Sequence, residues 1–279
     1  PRLSFFFCCT MDFFEEVAKF RAARRIYAKI MKERFGAKNE KSTHLRFHVQ
    51  TSGESLTAQQ VDNNVVRVTL EALSAVLGGC QSLHTNSRDE ALALPTEESV
   101  KVALRTQQII ANETGVTKTV DPLSGSHYLE YLTSKIEEGV EKYLKKIEKL
   151  GGSLAAIEKG YFQEEIRRNA YQLKKEIDYN DRIIVGVNKF QDQNDIEPQL
   201  NTIDPEIEIR QVKKLIEFKN NRDQTKVSSE ISKLRKFAER EVENLMPHII
   251  SAVKGHVTLG EISDVFVDIF GRYEPKFSF

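Results

Sequence analysis

A disulfide framework, a net charge and a long apolar run are what this 279-residue chain lacks. Its three cysteines are Cys8, Cys9 and Cys80. Neighbours on a strand point to opposite sides, so Cys8 and Cys9 do not easily pair, and a reducing, cytoplasmic setting fits best. The 41 basic and 41 acidic side chains cancel, which removes the global field that would favour nucleic acid or an anionic membrane. No apolar run approaches the ~20 residues needed to span a bilayer, and the apolar core of the opening PRLSFFFCC is too short for a signal peptide. Internal repeats and low-complexity tracts are missing too. So is an initiator methionine: the chain opens inside what reads as a strand, with Leu3, Phe5 and Phe7 on one side and Arg2 and Ser4 on the other. Such an opening is expected of the second part of something larger.

What is present is globular: 40% hydrophobic and 29% charged residues, in a length that suits one large domain or two ordinary ones. The stretch from 44 to 94 organises the rest. Residues 44–50 alternate, with His44, Arg46, His48 and Gln50 facing one way and Leu45, Phe47 and Val49 the other. The polar side suits a pocket or the solvated face of an edge strand.

Around this stretch, strands and helices alternate. After the opening strand, Asp12 and Glu15 have capping-box-like spacing before a helix striped by Phe13, Val17, Phe20, Ile26, Ile30 and Met31, with Gly36 as its stop. Arg21, Arg24 and Arg25 on it read as a solvated face paired with Glu15, Glu16 and Glu33 rather than as a phosphate patch, given the zero net charge. A second helix carries Val66, Leu70, Leu73 and Leu77 and ends at Gly78-Gly79. A third strand covers 80–86, and Thr96, Glu97 and Glu98 open a helix through Ile110. This order predicts parallel strands with crossover helices, as in a barrel or a doubly wound sheet. In a barrel, sites collect at the C-terminal ends of the strands, here residues 50–53 and 86–94. From Asp121 on, strands nearly vanish. Helices are expected around Ile136–Ile147, over 164–177, around Ile231, Leu234 and Val242, and after Thr258 and Glu261. Residues 183–189 look β-like, and 192–204 read as a polar linker.

Several chemistries fail on spacing. On a strand, His44 and His48 lie about 13 Å apart at ~3.3 Å per residue, too far to share a metal. Ser52 and Ser55 lack a Gly-x-Ser-x-Gly elbow. Neither Gly78-Gly79 nor Gly151-Gly152 has the glycine spacing of a phosphate loop. From residue types and spacing alone, the chain is an α/β protein with a polar pocket.

A family resemblance goes further. Arg2-Leu3-Ser4-Phe5-Phe6, Lys19-Phe20-Arg21-Ala22-Ala23-Arg24-Arg25, Gln50-Thr51-Ser52-Gly53, Asn63-Asn64, Gln81-Ser82-Leu83-His84-Thr85-Asn86, Asp89-Glu90-Ala91-Leu92, Asp121-Pro122 with Gly125-Ser126, and Val185-Gly186-Val187-Asn188-Lys189 occur in this order. In these motifs, from residue 1 to about 272, the chain resembles the large subunit of adenosylcobalamin-dependent acyl-CoA mutases, methylmalonyl-CoA mutase above all. The resemblance implies an α/β fold: the C-terminal portion of a (β/α)8 TIM-type barrel, about three strand–helix units, followed by a mostly helical extension. The corresponding divisions are residues 1–115, 116–191 and 192–279. It implies an acyl-CoA substrate along the barrel axis and adenosylcobalamin across the strand C-termini. Arg2 and Ser4 match substrate-contacting positions. Gly53, Glu90, Ala93 and Leu94 match positions along the cobalamin and its adenosyl group, and Gln50 and Asn86 match neighbouring polar positions.

The implied reaction is a radical carbon-skeleton rearrangement, (R)-methylmalonyl-CoA to succinyl-CoA. The alternatives are isobutyryl-, 2-hydroxyisobutyryl- or ethylmalonyl-CoA as substrate, or a non-catalytic assembly chain that keeps the fold. The family's substrate-contacting tyrosine, arginine and histidine lie upstream of Pro1, and its cobalt-ligating Asp-x-His-x-x-Gly motif is absent. No catalytic residue and no metal ligand is therefore expected here. The expected partners are the remaining N-terminal barrel portion, a small cobalamin-binding subunit and further copies in an oligomer, and the chain alone is expected to be inactive.

Overall fold

In the computed structural model, described over residues 2–192, 198–240 and 244–274, the chain divides into two compact units, up to residue 202 and from 203 onward. In the first, β1 (Phe5–Cys9), β2 (Phe47–Thr51) and β3 (Ser82–His84) form a parallel sheet in that order. They lead into α1 (Phe13–Lys29), α2 (Asn63–Leu77) and α3 (Glu97–Asn112) respectively. Sequential parallel neighbours without reversal are the order of a barrel, and also of one half of a doubly wound sheet before its switch point. Three strand–helix units followed by helices match the barrel portion and extension expected from the sequence.

The two faces of the sheet differ. Towards the helices, Cys9, Leu45, Phe47 and Val49 are buried against Phe20 of α1 and Ala75 of α2. The rings of Phe47 and Phe20 stack at 5.3 Å, and Phe7 packs edge-on against both. The opposite face is layered by register: Phe6, His48 and Ser82 in one row, and Cys8, Gln50 and His84 in the next. These residues are exposed or half-buried.

α1 starts where Asp12 accepts a hydrogen bond from the Glu15 amide, and it runs into a wider turn over Ile30–Arg34 before Gly36, whose φ is +58°. Its basic residues do pair with carboxylates, but mostly not with those on the same helix. Arg21 meets Glu130 (2.7 Å), Arg25 meets Glu137 (2.6 Å), Lys29 meets Glu141 (3.1 Å) and Arg34 meets Glu148. All four partners lie on α4 (His127–Lys149). The near-constant offset means that α1 and α4 run parallel. Sequence spacing reveals only pairs within a helix, so these partners escaped it. Arg24 instead donates to the Gly78 carbonyl.

The stripe of α2 also differs from expectation. Val66 and Leu70 are exposed, and the buried face is Asn64, Val68, Glu71, Ala72, Ser74 and Ala75. Ala72, Ser74 and Ala75 are small where the helix crowds its neighbours, while Asn64 and Glu71 are among the largest fully buried side chains. Gly78 shows the same crowding, since a Cβ on it would sit 2.5 Å from the Phe20 ring.

The first unit continues with α4, α5 (Ser153–Glu158) and α6 (Tyr161–Asp178). Residues 183–189 form no strand but a turn with one bridge, Val185 to Lys189. Asn188 holds the turn by accepting from the Ile184 amide (2.7 Å) and donating to the Ile177 and Arg182 carbonyls. Of the polar stretch 192–204, residues 193–197 lie outside the described residues.

The second unit contains α7 (Pro205–Asn221), α8 (Gln224–Ala238), α9 (Met246–Lys254) and α10 (Leu259–Phe270). Val227, Leu234, Ala252, Val257, Ile262 and Val265 form its core. Thr258 and Glu261 close a capping box at the start of α10. Arg222 bonds both oxygens of Glu261, one at 2.7 Å, and this pairing holds the Glu261 carboxyl at about 2. α7 and α9 were not anticipated. The Asp204 cap, Pro205 at the first position and two early glutamates marked α7. Val242 lies outside the described residues. No helix among the described residues is long and apolar enough to cross a membrane.

Candidate functional site at the strand C-terminal ends

Two loops leave the C-terminal edge of the sheet side by side. The Gln50 side-chain amide donates to Asn86 Oδ1 at 2.9 Å, and the Asn86 backbone amide donates to Thr51 Oγ1 at 2.9 Å. Gly53 is exposed, and a Cβ built on it would stand 3.4 Å from Asn86 Nδ2. Gln50, Gly53 and Asn86 are therefore brought together. Asn86 itself is buried, and the exposed Gly53 places no side chain over it.

The loop after β3 folds into a tight turn. Glu90 accepts from the Ser87 amide through Oε1 at 2.6 Å, and the Leu92 and Ala93 amides return to the Asp89 carbonyl at 2.9 and 3.1 Å. Asp89 is buried. Burial alone would raise its carboxyl, but the Thr96 amide and the Ser99 and Thr96 hydroxyls outweigh it and hold the group below its ordinary value. Oδ2 takes the Thr96 amide at 3.0 Å, which ties the turn to the start of α3. Glu90 and Ala93 are half-buried on this turn, while Leu94 is 58% exposed.

Arg2 and Ser4 do not join this group. Both are exposed and precede β1, at the opposite end of the strands, about 16 Å away along five residues at ~3.3 Å each. On the face between the two ends, His48 Nδ1 and Ser82 Oγ lie 2.7 Å apart. His44 is exposed, and among the described residues no cluster of three or more His, Cys, Asp or Glu side chains assembles. An open cavity of about 690 Å³ lies elsewhere, beside Gln60, Asp62, Arg88, Glu97 and Gln199, and none of the candidate residues lines it.

Sequence reasoning quoted Asn63-Asn64 as a motif without giving Asn64 a role, and it missed Glu71 behind the loops. Asn64 is fully buried and bonds Thr57 and Arg88, one residue on each loop. Glu71 is 1% exposed and accepts from the Ser52 amide at 3.1 Å. Burial pushes its carboxyl up to about 7, against the opposing pull of the Ser55 hydroxyl and the Ser52 amide. The available signal was polar residues seven apart on a helix face otherwise filled by Val68, Ala72 and Ala75.

Parallel strands wound in one direction, helices on one face and polar loops gathered at the strand C-termini define a barrel-type α/β scaffold. The chain belongs to the methylmalonyl-CoA mutase family, whose model matches residues 1–272. It is 48% identical over 98% of its length to the 2-hydroxyisobutanoyl-CoA mutase large subunit of Aquincola tertiaricarbonis, covering 49% of that protein. It is 43% identical to methylmalonyl-CoA mutase of Rhizobium meliloti, covering 98% of this chain and 38% of that one. With the mitochondrial methylmalonyl-CoA mutase of Mus musculus, identity is 40% over 99% of this chain and 37% of the relative. The chain thus spans half or less of the length of these relatives.

Proposed function

We propose that this chain is part of an adenosylcobalamin-dependent acyl-CoA mutase and contributes one wall of its cavity. Residues 1–115 supply the barrel portion, 116–191 a helical extension and 192–279 the linker and terminal helices. The observation that carries this reading is the joining of Gln50, Gly53 and Asn86 at the strand C-termini in a chain of this family. The donor set fits the cofactor. Open backbone at Gly53 lets a flat macrocycle approach. The half-buried side-chain amide of Gln50 presents polar atoms beside it, steadied by the buried Asn86, and Ala93 and Leu94 present apolar surface. Glu90 spends one oxygen on the Ser87 amide, and its second accepts no hydrogen bond among the described residues, which suits the hydroxyls of a ribose.

Adenosylcobalamin supplies, when bound, the one-electron chemistry of a carbon-skeleton rearrangement. The residues of this chain bind, orient and help to exclude water, and no catalytic residue is assigned to it. At the far end of the strands, the Arg2 guanidinium suits a phosphate or carbonyl of coenzyme A, with Ser4 beside it in sequence. A long thioester running along the strands would meet both ends. The partners implied are the rest of the barrel, a small cobalamin-binding subunit and further copies in an oligomer. The three cysteines are free, in keeping with a reducing cytoplasm.

Methylmalonyl-CoA, rearranged to succinyl-CoA, is the substrate we assign. A second reading, 2-hydroxyisobutyryl-CoA, is favoured by the 48% identity to a mutase named for that acyl group. The test supplies the complete protein that carries this chain, and any cobalamin-binding subunit, with adenosylcobalamin and each thioester in turn. Succinyl-CoA from methylmalonyl-CoA is the expected product. Turnover of 2-hydroxyisobutyryl-CoA alone would transfer the assignment, and no isomerisation of any acyl-CoA would overturn the mutase reading in favour of an assembly chain.

A further inference from the structure

Gly53 and the turn from Ser87 to Ala93 sit on separate loops, and their spacing has to be set by something beneath them. At the root, Gln50 and Thr51 tie β2 to Asn86. Further out, the buried polar side of α2 takes over. Asn64 is fully buried, and its amide is saturated. Oδ1 accepts from the Thr57 amide at 3.1 Å and from Arg67 Nη1 at 2.8 Å. Nδ2 donates to the Thr57 carbonyl at 2.9 Å and to the Arg88 carbonyl at 2.8 Å. Its two donors thus hold two different loops. One helical turn on, Arg67 Nη1 also reaches Thr57 Oγ1 at 3.0 Å. A further turn along, Glu71 takes the Ser52 amide at 3.1 Å.

We propose that Asn64 is a positioning residue that clamps the two strand-end loops to each other, with Arg67 orienting it and Glu71 anchoring the root of the first loop. The proposal rests on the reading of these loops as the cofactor-facing edge. Only an amide serves at position 64. A carboxylate would face the Thr57 and Arg88 carbonyls without a donor, and a hydroxyl can donate to one of them but not to both. Losing the clamp frees the Arg88 side of the turn while leaving β1, β2 and the Arg2 end of the sheet as they are. A displacement of about 1 Å is enough to matter for a preorganised site.

The experiment measures two affinities on the complete protein with its cobalamin-binding partner: adenosylcobalamin, and coenzyme A itself. In Asn64→Ser, the dissociation constant for adenosylcobalamin is expected to rise about tenfold or more, a loss typical of one buried hydrogen-bonded link, while that for coenzyme A changes less than about twofold. A merely structural role would weaken both together. If Asn64→Ser does not fold, Arg67→Gln at its half-buried position is read instead, with a rise of about threefold expected for the cofactor alone, about half the free-energy effect of losing the clamp itself. Unchanged cofactor affinity in a folded variant, or equal losses for both ligands, would overturn the clamp. Failure of the wild-type protein to bind adenosylcobalamin would overturn the underlying reading instead, so the two failures are distinct.

Discussion

Replacing Glu71 by glutamine is expected to make the protein more stable in mild alkali and to leave it nearly unchanged in mild acid. Glu71 is 1% exposed, its Oε2 accepts from the Ser52 amide at 3.1 Å, and among the described residues its Oε1 has no hydrogen-bond partner. The nearby Ser55 hydroxyl, which donates to the Ser52 carbonyl, also favours the charged form. Glu16 of α1 adds a like charge and Arg67 an opposite one, but burial dominates and pushes the carboxyl from 4.5 up to about 7. Between these values the folded protein keeps a proton that the unfolded chain has lost. The associated stability is fully present below about 4.5 and is lost as pH rises through about 7. At ~1.4 kcal/mol for each pH unit, the whole interval is worth about 3 kcal/mol. Glutamine imitates the neutral acid, still accepts from Ser52 and has no charge to bury, so this slope disappears. Urea unfolding of the complete protein at pH 5 and pH 8 measures the effect, and the difference between wild type and variant removes contributions from other groups. The variant should lie within about 1 kcal/mol of wild type at pH 5 and exceed it by about 2 kcal/mol at pH 8. A difference that does not change with pH, or a variant that is weaker at pH 8, would refute the reasoning.

Two further substitutions separate binding from packing. Gly53→Val should leave stability within about 0.5 kcal/mol, because Gly53 is exposed and its φ lies outside the left-handed region. It should raise the adenosylcobalamin dissociation constant about tenfold or more by placing a branched side chain on the exposed edge at Gly53, as read by equilibrium titration. Gly78→Ala should do the reverse and destabilise by about 1–3 kcal/mol, because its Cβ would meet the fully buried Phe20 ring at 2.5 Å. A lower denaturant midpoint with unchanged cofactor affinity is expected, and a stabilised variant would contradict the packing described.

The strands were legible because a period of two needs only local sequence. Leu45, Phe47 and Val49 alternate with His48 and Gln50, and the alternation matches the buried and polar faces. The loops at the strand ends followed from the strand–helix order, and the candidate residues on them from the resemblance. What stayed hidden was set by contacts distant in sequence. Arg21 and Arg25 of α1 found their carboxylates 109 and 112 residues away on α4, an arrangement that no spacing rule contains. The turn at 183–189 looked like a strand because Ile183, Ile184 and Val185 favour one, but Asn188 satisfies the backbone locally and stops any ladder.

The second helix shows why function and apolar patterning conflict. Two of its aliphatic residues, Val66 and Leu70, are exposed, while Asn64 and Glu71 are buried. Burying an amide and a carboxyl is costly unless each finds partners, and a helix chosen for packing alone would turn Val66 and Leu70 inward. Here the partners are backbone groups of the loops that leave β2 and β3, at Ser52, Thr57 and Arg88. Those loops have exposed outer surfaces at Gly53 and Leu94, and the first is held down by the buried Leu56 and Val61 as well as by these polar groups. Polar groups reaching up from below fix the loop backbone and leave its outer side bare. A bare but rigid edge is what a large, flat ligand requires, because any side chain used to brace the loops from above would occupy the ligand's place.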